Sequence, residues 1–358
     1  MWKSLKDRAE GVKEMKRMKT TEAVGQVLCH DITQIIPGVT KDAVFRKGHI
    51  IREEDIPVLL SVGKDSVYIW ENDETMMHEN DAAEVLYRMT ANEHMHPSDV
   101  KEGKIEAIAD TEGLLKVDRE KLKKVNAFGE MMIATRHGNT VVKKGDKLAG
   151  TRIIPLVIKK DKMQEAEKIC DGIPILKILP FTVKKAAIIT TGNEVYHGRI
   201  KDAFTPVIEQ KIAEFGAEMM FHEIFDDNDR KITDGCLRAI EAGADIVFCT
   251  GGMSVDPDDK TPLAIKNTGA EMISYGSPVL PGAMFLLSYY RKGDKVIPIC
   301  GLPGCAMYNR RTIFDLVLPR LMAADPVTAD ELASLGEGGL CLNCKVCTFP
   351  NCGFGKGW

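Results

Sequence analysis

Three carboxylates within four residues, Asp256, Asp258 and Asp259, follow the pair Gly251-Gly252 and then Ser254 in the stretch T-G-G-M-S-V-D-P-D-D-K-T-P, residues 250–262. Residues of these types suit the coordination of a divalent cation against an anionic ligand. Hard cations take oxygen donors, and paired glycines let a backbone approach a ligand closely or turn with positive φ. The stretch comes directly after the apolar run I-V-F-C, 246–249. A tight strand-to-helix turn would also collect Gly, Ser and Asp to cap its helix. Three acids together favour a ligand loop, with a phosphorylated small molecule as its natural occupant and Asp256, Asp258 and Asp259 as the group that can hold the cation.

A second cluster lies in G-L-C-L-N-C-K-V-C-T-F-P-N-C-G-F-G-K, where Cys341, Cys344, Cys347 and Cys352 have C-x2-C-x2-C-x4-C spacing. Three thiols at successive two-residue gaps resemble the run that wraps an iron–sulfur cluster. Zinc is the rival, although zinc sites usually bring two separated pairs. Disulfides are the least favoured outcome in the cytoplasm, where this chain is expected. The residues after Asp330 hold six glycines and few large apolar side chains, so this tail is expected to order only around a metal. The other six cysteines are scattered singly and read as small buried thiols. His94 and His96 form an H-x-H in a charged loop without acids in register, which is a poor metal site.

Both clusters need elements to position them. At 358 residues the chain exceeds what one core usually organises. Residues 1–180 read as a strand-rich α+β region, barrel-like or sandwich-like, 181–327 as an α/β domain, and 328–358 as the cysteine tail. In the first region I-E-A-I-A-D-T-E-G-L-L-K-V, 105–117, reads as a hairpin turning at 111–113, and a second turn is expected at Gly145 and Asp146. From Lys184 onward apolar strands alternate with amphipathic helices, the last helix expected over about 305–322. That βαβα order predicts a mostly parallel sheet covered on both faces. Ligands then collect outside the carboxyl ends of the strands. Those ends are T-T-G-N-E at 190–194, Asp226-Asp227, the central loop, and G-L-P-G at 301–304, where a helix N-terminus would offer an anion site.

Composition excludes other classes. Lys and Arg number 48 against 52 Asp and Glu, a net charge of -4, so no nucleic acid is expected. The N-terminal segment is too charged for a signal peptide and no apolar run approaches a spanning helix, so no membrane is expected and the location is expected to be cytoplasmic.

Taken in order, T-T-G-N-E-V, F-C-T-G-G-M-S-V-D-P-D-D, L-P-G-A and G-L-P-G are similar to the four ligand loops of the molybdopterin-binding domain of the MoeA/gephyrin family of molybdopterin molybdenumtransferases. The resemblance covers residues 186–325, and G-Q-V-L-C-H-D-I-T and F-R-K-G-H-I-I also resemble the segment preceding that domain. It implies a three-layer fold that binds molybdopterin or its adenylylated form with Mg2+ and inserts molybdate. Asp259 and Glu194 would be the catalytic acids. Thr191, Gly192, Asn193, Gly251, Gly252, Ser254, Pro281, Gly282, Gly301, Pro303 and Gly304 would contact the ligand. The chain departs from the family's pattern where Asn193 replaces an aspartate, where Leu280 and Ala283 replace lysines, and where Cys305-Ala306 replaces Asn-Pro. The missing positive charges favour an alternative, a non-catalytic pterin carrier or sensor whose metal tail responds to redox state or docks a partner, such as a molybdoenzyme or another cofactor-biosynthesis protein. A nucleotide-binding domain unrelated to pterins is a third reading. A homo-oligomer is compatible with all three.

Overall fold

The computed structural model describes residues 16–36, 40–69, 73–257 and 259–357. A first small core joins Leu28, Ile32, Ile51, Leu59 and Val67. It lies between the strand pair Arg17–Lys19 and Ser66–Tyr68, the strand pair Ile32–Ile36 and Thr40–Phe45, and the helix Ile56–Ser61.

A second core gathers around Leu86, Leu115, Ile133, Leu148 and Leu176. One sheet there has four strands in the order Met95–Pro97, Lys104–Ala109, Lys147–Ile153, Met131–Thr135, and another has three in the order Thr140–Val142, Gly113–Val117, Leu176–Leu179. The hairpin expected over 105–117 is therefore not one. Lys104–Ala109 pairs within the first sheet and Gly113–Val117 within the second, so the reversal at 111–112 carries the chain from sheet to sheet. The turn at Gly145 and Asp146 does the same between Thr140–Val142 and Lys147–Ile153. The H-x-H pair is structural. His94 occupies a positive-φ turn position, and His96 Nδ1 lies 2.6 Å from Asp110 Oδ1.

The third unit is a three-layer α/β domain with a mostly parallel sheet. Its elements are β1 (Lys185–Thr191), α1 (Asn193–Tyr196), α2 (Phe204–Ala213), β2 (Glu218–Phe225), α3 (Asp229–Glu241), β3 (Ile246–Thr250), α4 (Thr261–Asn267), β4 (Glu271–Tyr275), β5 (Leu286–Lys292), β6 (Lys295–Leu302), α5 (Ile313–Met322) and α6 (Ala329–Ser334). The sheet order is β2-β1-β3-β6-β5-β4, in which β2, β1, β3 and β6 are parallel and β5 pairs antiparallel with both β6 and β4. Strands buried on both faces read as unbroken apolar runs, as β3 does with all five residues buried. Its side chains alternate between the two cores. Ile246 and Phe248 face Ile208 and Ile212 of α2, while Val247 and Cys249 face Ile232 and Cys236 of α3. Phe248 meets Phe314 of α5 edge-on at 5.3 Å, and burying a ring of that size contributes about 1.5–3 kcal/mol.

After β1 the chain passes through α2 on one face to β2. It then returns through α3 on the other face to β3, on the far side of β1. The strand order thus reverses between β1 and β3, the position at which open α/β sheets form a crevice beyond their strand ends.

Candidate functional site

The loops after β1 and β3 are locked together by threonines. Thr191 Oγ1 donates to the Thr250 carbonyl at 3.1 Å, Thr261 Oγ1 donates to the Gly251 carbonyl at 2.8 Å, and the two hydroxyl oxygens stand 3.0 Å apart. Gly251 has φ +81°, and a Cβ there would lie 2.1 Å from the Thr191 carbonyl oxygen. Only glycine lets the two strand ends come this close. The acidic loop then closes on itself. Asp256 N–H donates to Asp259 Oδ2 at 3.0 Å and Asp259 N–H to the Asp256 carbonyl at 2.9 Å. Tyr275 Oη donates to the Met253 carbonyl at 3.0 Å and holds the loop from the side. Burial, followed by the charge of Asp259, pushes that phenol above its ordinary pKa.

These contacts leave a cleft of about 520 Å³ at the strand ends, walled by Gly251, Gly252, Met253, Ser254 and Asp259, by Ala283 and Met284, and by 302–305, Met307, Tyr308 and Phe204. Among the expected site residues, Gly251, Gly252, Ser254, Asp259, Pro303 and Gly304 are brought together here. Thr191, Gly282 and Gly301 are buried behind the wall. Thr191 ties the loops, Gly282 packs where a Cβ would meet Ile313 at 2.4 Å, and Gly301 packs against Met253. Gly192, Asn193, Glu194 and Pro281 are not among the lining residues. Glu194 stands exposed on α1, and Asn193 N–H donates to Asp227 Oδ2 at 3.1 Å. Asp258 lies outside the described residues.

The helix expected over 305–322 is broken. Gly304–Met307 is a single 3₁₀ turn, and α5 begins only at Ile313. Its N-terminus is already satisfied, because Asp315 Oδ2 accepts from Thr312 N–H at 2.8 Å and Thr312 Oγ1 accepts from Phe314 N–H at 3.2 Å. No long helix therefore aims free N–H groups into the cleft from this side. What the segment supplies instead is Tyr308, 73 % exposed.

Sequence reasoning missed the apolar wall of Phe204, Met284, Met307 and Tyr308. It also missed the polar cluster beneath β1. There Asp202 Oδ2 accepts from Thr190 Oγ1 at 3.0 Å and Thr205 Oγ1 at 2.5 Å, with His222 Nε2 3.5 Å away. Burial works to raise the Asp202 pKa, but hydrogen bonds from Thr205, Phe204 N–H and Thr190 outweigh it and hold the carboxyl below its ordinary value. At the base of the central loop the buried Thr250 hydroxyl has no hydrogen-bond partner among the described residues.

The charge of the cleft is one-sided. Its described lining includes one carboxylate, Asp259, and no Lys, Arg or His. Among the described residues no three His, Cys, Asp or Glu side chains already form a metal-holding group. The donor set fits Mg2+ as a bridging ion, since Mg2+ is usually held by one or two carboxylates plus ligand phosphates and water.

Residues 187–323 match the family model described as "Probable molybdopterin binding domain". Residues 17–71, which carry the first small core, match a domain of unknown function, DUF8806. "Putative competence-damage inducible protein" of Bacillus cereus (strain B4264) is 30% identical over 129 residues, 36% of this chain and 30% of that protein. The protein of the same name from Bacillus subtilis (strain 168) is 32% identical over 85 residues, 24% of this chain and 20% of its own length. The chain thus spans less than a third of the curated relatives it matches. Among solved structures, the tungsten cofactor synthesizing protein MoaB from Pyrococcus furiosus superposes with a TM-score of 0.32 at 20% identity, over 39% of this chain and 89% of that one. The protein CinA from Thermoplasma acidophilum gives 0.31 at 17% identity, over 39% and 98%. Over residues 187–323 the α/β domain is thus similar to the probable molybdopterin binding domain family.

A larger cavity, about 800 Å³, lies between the three-stranded sheet of the second core, α5 and the tail. Lys116 pairs with Asp325 across the seam at 2.7 Å, while Arg311 pairs locally with Asp315, one helical turn along the chain, at 2.8 Å. It reads as a domain junction.

The cysteine tail is folded by protein contacts, against the expectation that it orders only around a metal. Leu280 N–H donates to the Gly339 carbonyl and Cys341 N–H to the Leu280 carbonyl, both at 2.8 Å. Phe354 is buried in the domain core, and the Arg311 guanidinium lies 4.8 Å from the Phe349 ring centroid. The four thiols are not gathered in ligand geometry, yet all four line one cavity. Among the described residues no helix is long and apolar enough to cross a membrane.

Proposed function

We propose that the strand-end cleft binds the phosphorylated end of molybdopterin or of its adenylylated form, through a divalent cation held by Asp259. The observation that carries this reading is the charge of the wall, one carboxylate and no basic side chain. An anion beside Asp259 would be repelled unless a cation lies between them, and Mg2+ supplies that positive charge when bound. Gly251 and Gly252 permit close approach of the backbone, Ser254 offers a hydroxyl, and Tyr308 and Phe204 offer aromatic faces to a ring. The match of 187–323 to a molybdopterin-binding model supports a pterin over a nucleotide.

Binding without insertion suits this wall best, because a molybdate oxyanion would find no Lys or Arg among its lining residues. In this reading the protein carries or senses the cofactor and hands it to a client enzyme in the cytoplasm. Molybdate insertion is the second reading, favoured by the presence of Asp259 and Glu194 at the positions of the family's acids. The decisive experiment is identification of the small molecule that copurifies with anaerobically prepared protein. A pterin retained by the wild type and lost in Gly304→Val supports the site, because a Cβ at Gly304 meets nothing within 4 Å and enlarging it fills the cleft and spares the core. A copurifying nucleotide without pterin overturns it. If molybdate-dependent product then forms and both Asp259→Asn and Glu194→Gln slow it, the transferase reading replaces the carrier.

A further inference from the structure

We propose that Cys341, Cys344, Cys347 and Cys352 ligate an iron–sulfur cluster in the tail cavity, independently of the pterin cleft. The four sulfurs fall within twelve residues, and all four line a single cavity of about 240 Å³. The six remaining cysteines lie elsewhere, five of them buried, where burial pushes thiols such as Cys300 and Cys29 up and away from thiolate chemistry. In contrast, Cys344 and Cys347 are exposed and Cys341 and Cys352 half-buried.

The surroundings suit an anionic cluster. Arg310 and Arg311 line the cavity and no carboxylate does. Four thiolates around an iron–sulfur core leave a net negative charge, which Arg310 offsets, while Arg311 is already paired with Asp315. Phe349 and Phe354, with ring centroids 6.2 Å apart, and Leu340 form the apolar part of the cavity lining.

The backbone is anchored at the edges and irregular between them. Cys341 N–H is bonded to Leu280, Arg310 Nη1 donates to the Lys345 carbonyl at 3.1 Å, and Asn351 N–H donates to the Thr348 carbonyl at 2.7 Å. No helix or strand runs through residues 342–352. Leu342 and Val346 are 78 % and 76 % exposed, so the Cys344–Cys347 loop is tied by the Arg310–Lys345 hydrogen bond rather than by its apolar side chains, and ligation requires it to close toward Cys341 and Cys352. Three thiols at successive two-residue gaps match an iron–sulfur run better than the two separated pairs usual for zinc.

The test is iron and acid-labile sulfide analysis, with visible absorption, on the full chain prepared anaerobically from iron-replete cells. The expected result is brown protein with stoichiometric iron and sulfide, both lost in Cys344→Ser and in Cys347→Ser. Because both residues are exposed, the thermal midpoint and far-ultraviolet circular dichroism of the variants should match those of metal-depleted wild type. Iron retained in both variants overturns the ligand set, colourless protein with one zinc per chain overturns the cluster, and metal-free protein overturns the site.

Discussion

The two cavities are opposites in charge and in construction. The strand-end cleft carries one acid and no base, whereas the tail cavity carries two arginines, four thiols and no acid. The cleft is held open by a sheet whose buried strands fix the loop origins, and by hydroxyl-to-carbonyl bonds that fix the loops themselves. The tail hangs from a few backbone hydrogen bonds and Phe354. A rigid scaffold can hold a site ready for a ligand that comes and goes. A site on irregular chain is assembled by its occupant, and the binding energy goes partly into ordering the loop.

If that contrast holds, substitutions at the two sites should differ most in what they do to the fold. Gly251→Ala forces a Cβ onto the Thr191 carbonyl and a side chain into positive φ. Overpacking of this kind costs about 1–3 kcal/mol and backbone strain about 1–2 more, so urea denaturation should show a loss of several kcal/mol together with loss of pterin binding. Relative to metal-depleted wild type, Cys344→Ser should change stability by no more than about 0.5 kcal/mol, as exposed substitutions do. Equal losses at the two positions would break the comparison.

Asp202 tests whether the polar cluster beneath β1 supports the cleft. Asp202→Asn replaces a charged acceptor and should cost about 1–3 kcal/mol. The carboxyl is held below its ordinary pKa in the folded protein. Its contribution is therefore complete above the unfolded carboxylate range and is lost as pH falls through the lowered folded value. Stability measured across the acid range should flatten in the Asn variant, and an unchanged acid limb would remove Asp202 from the account.

Smaller effects sharpen the assignment of the walls. Tyr308→Ala, at a largely exposed ring, should weaken pterin binding by about 0.5–1.5 kcal/mol while leaving the unfolding midpoint in place. Ala283→Lys should put a cation into the wall and reduce the dependence of pterin affinity on Mg2+. Unaltered Mg2+ dependence would mean that Ala283 does not face the phosphate.

The α/β half of the molecule was legible because its strands are apolar runs and their carboxyl ends carry Gly, Thr and Asp. The first region was not, since the turn at 111–113 marks a reversal but not the partner, and partner choice there depends on which of two sheets receives each strand. At the cleft, glycines and acids lie in one contiguous loop and could be read. The apolar wall comes from Phe204, Met284, Met307 and Tyr308 on separate segments, and no spacing links them before the chain folds. The broken helix did leave a signal. Thr312-Ile313-Phe314-Asp315 is a capping-box pattern, and it marks the start of α5 at Ile313, well beyond Gly304.

The most direct test of the account is titration calorimetry of molybdopterin into the full chain, with Mg2+ and then with a chelator, for wild type and Asp259→Ala. The charge of the cleft predicts that removing either the cation or the carboxylate weakens binding about tenfold or more, equivalent to about 1.4 kcal/mol, and that removing both adds little beyond either alone. Affinity that is indifferent to Mg2+ and to Asp259 would contradict it.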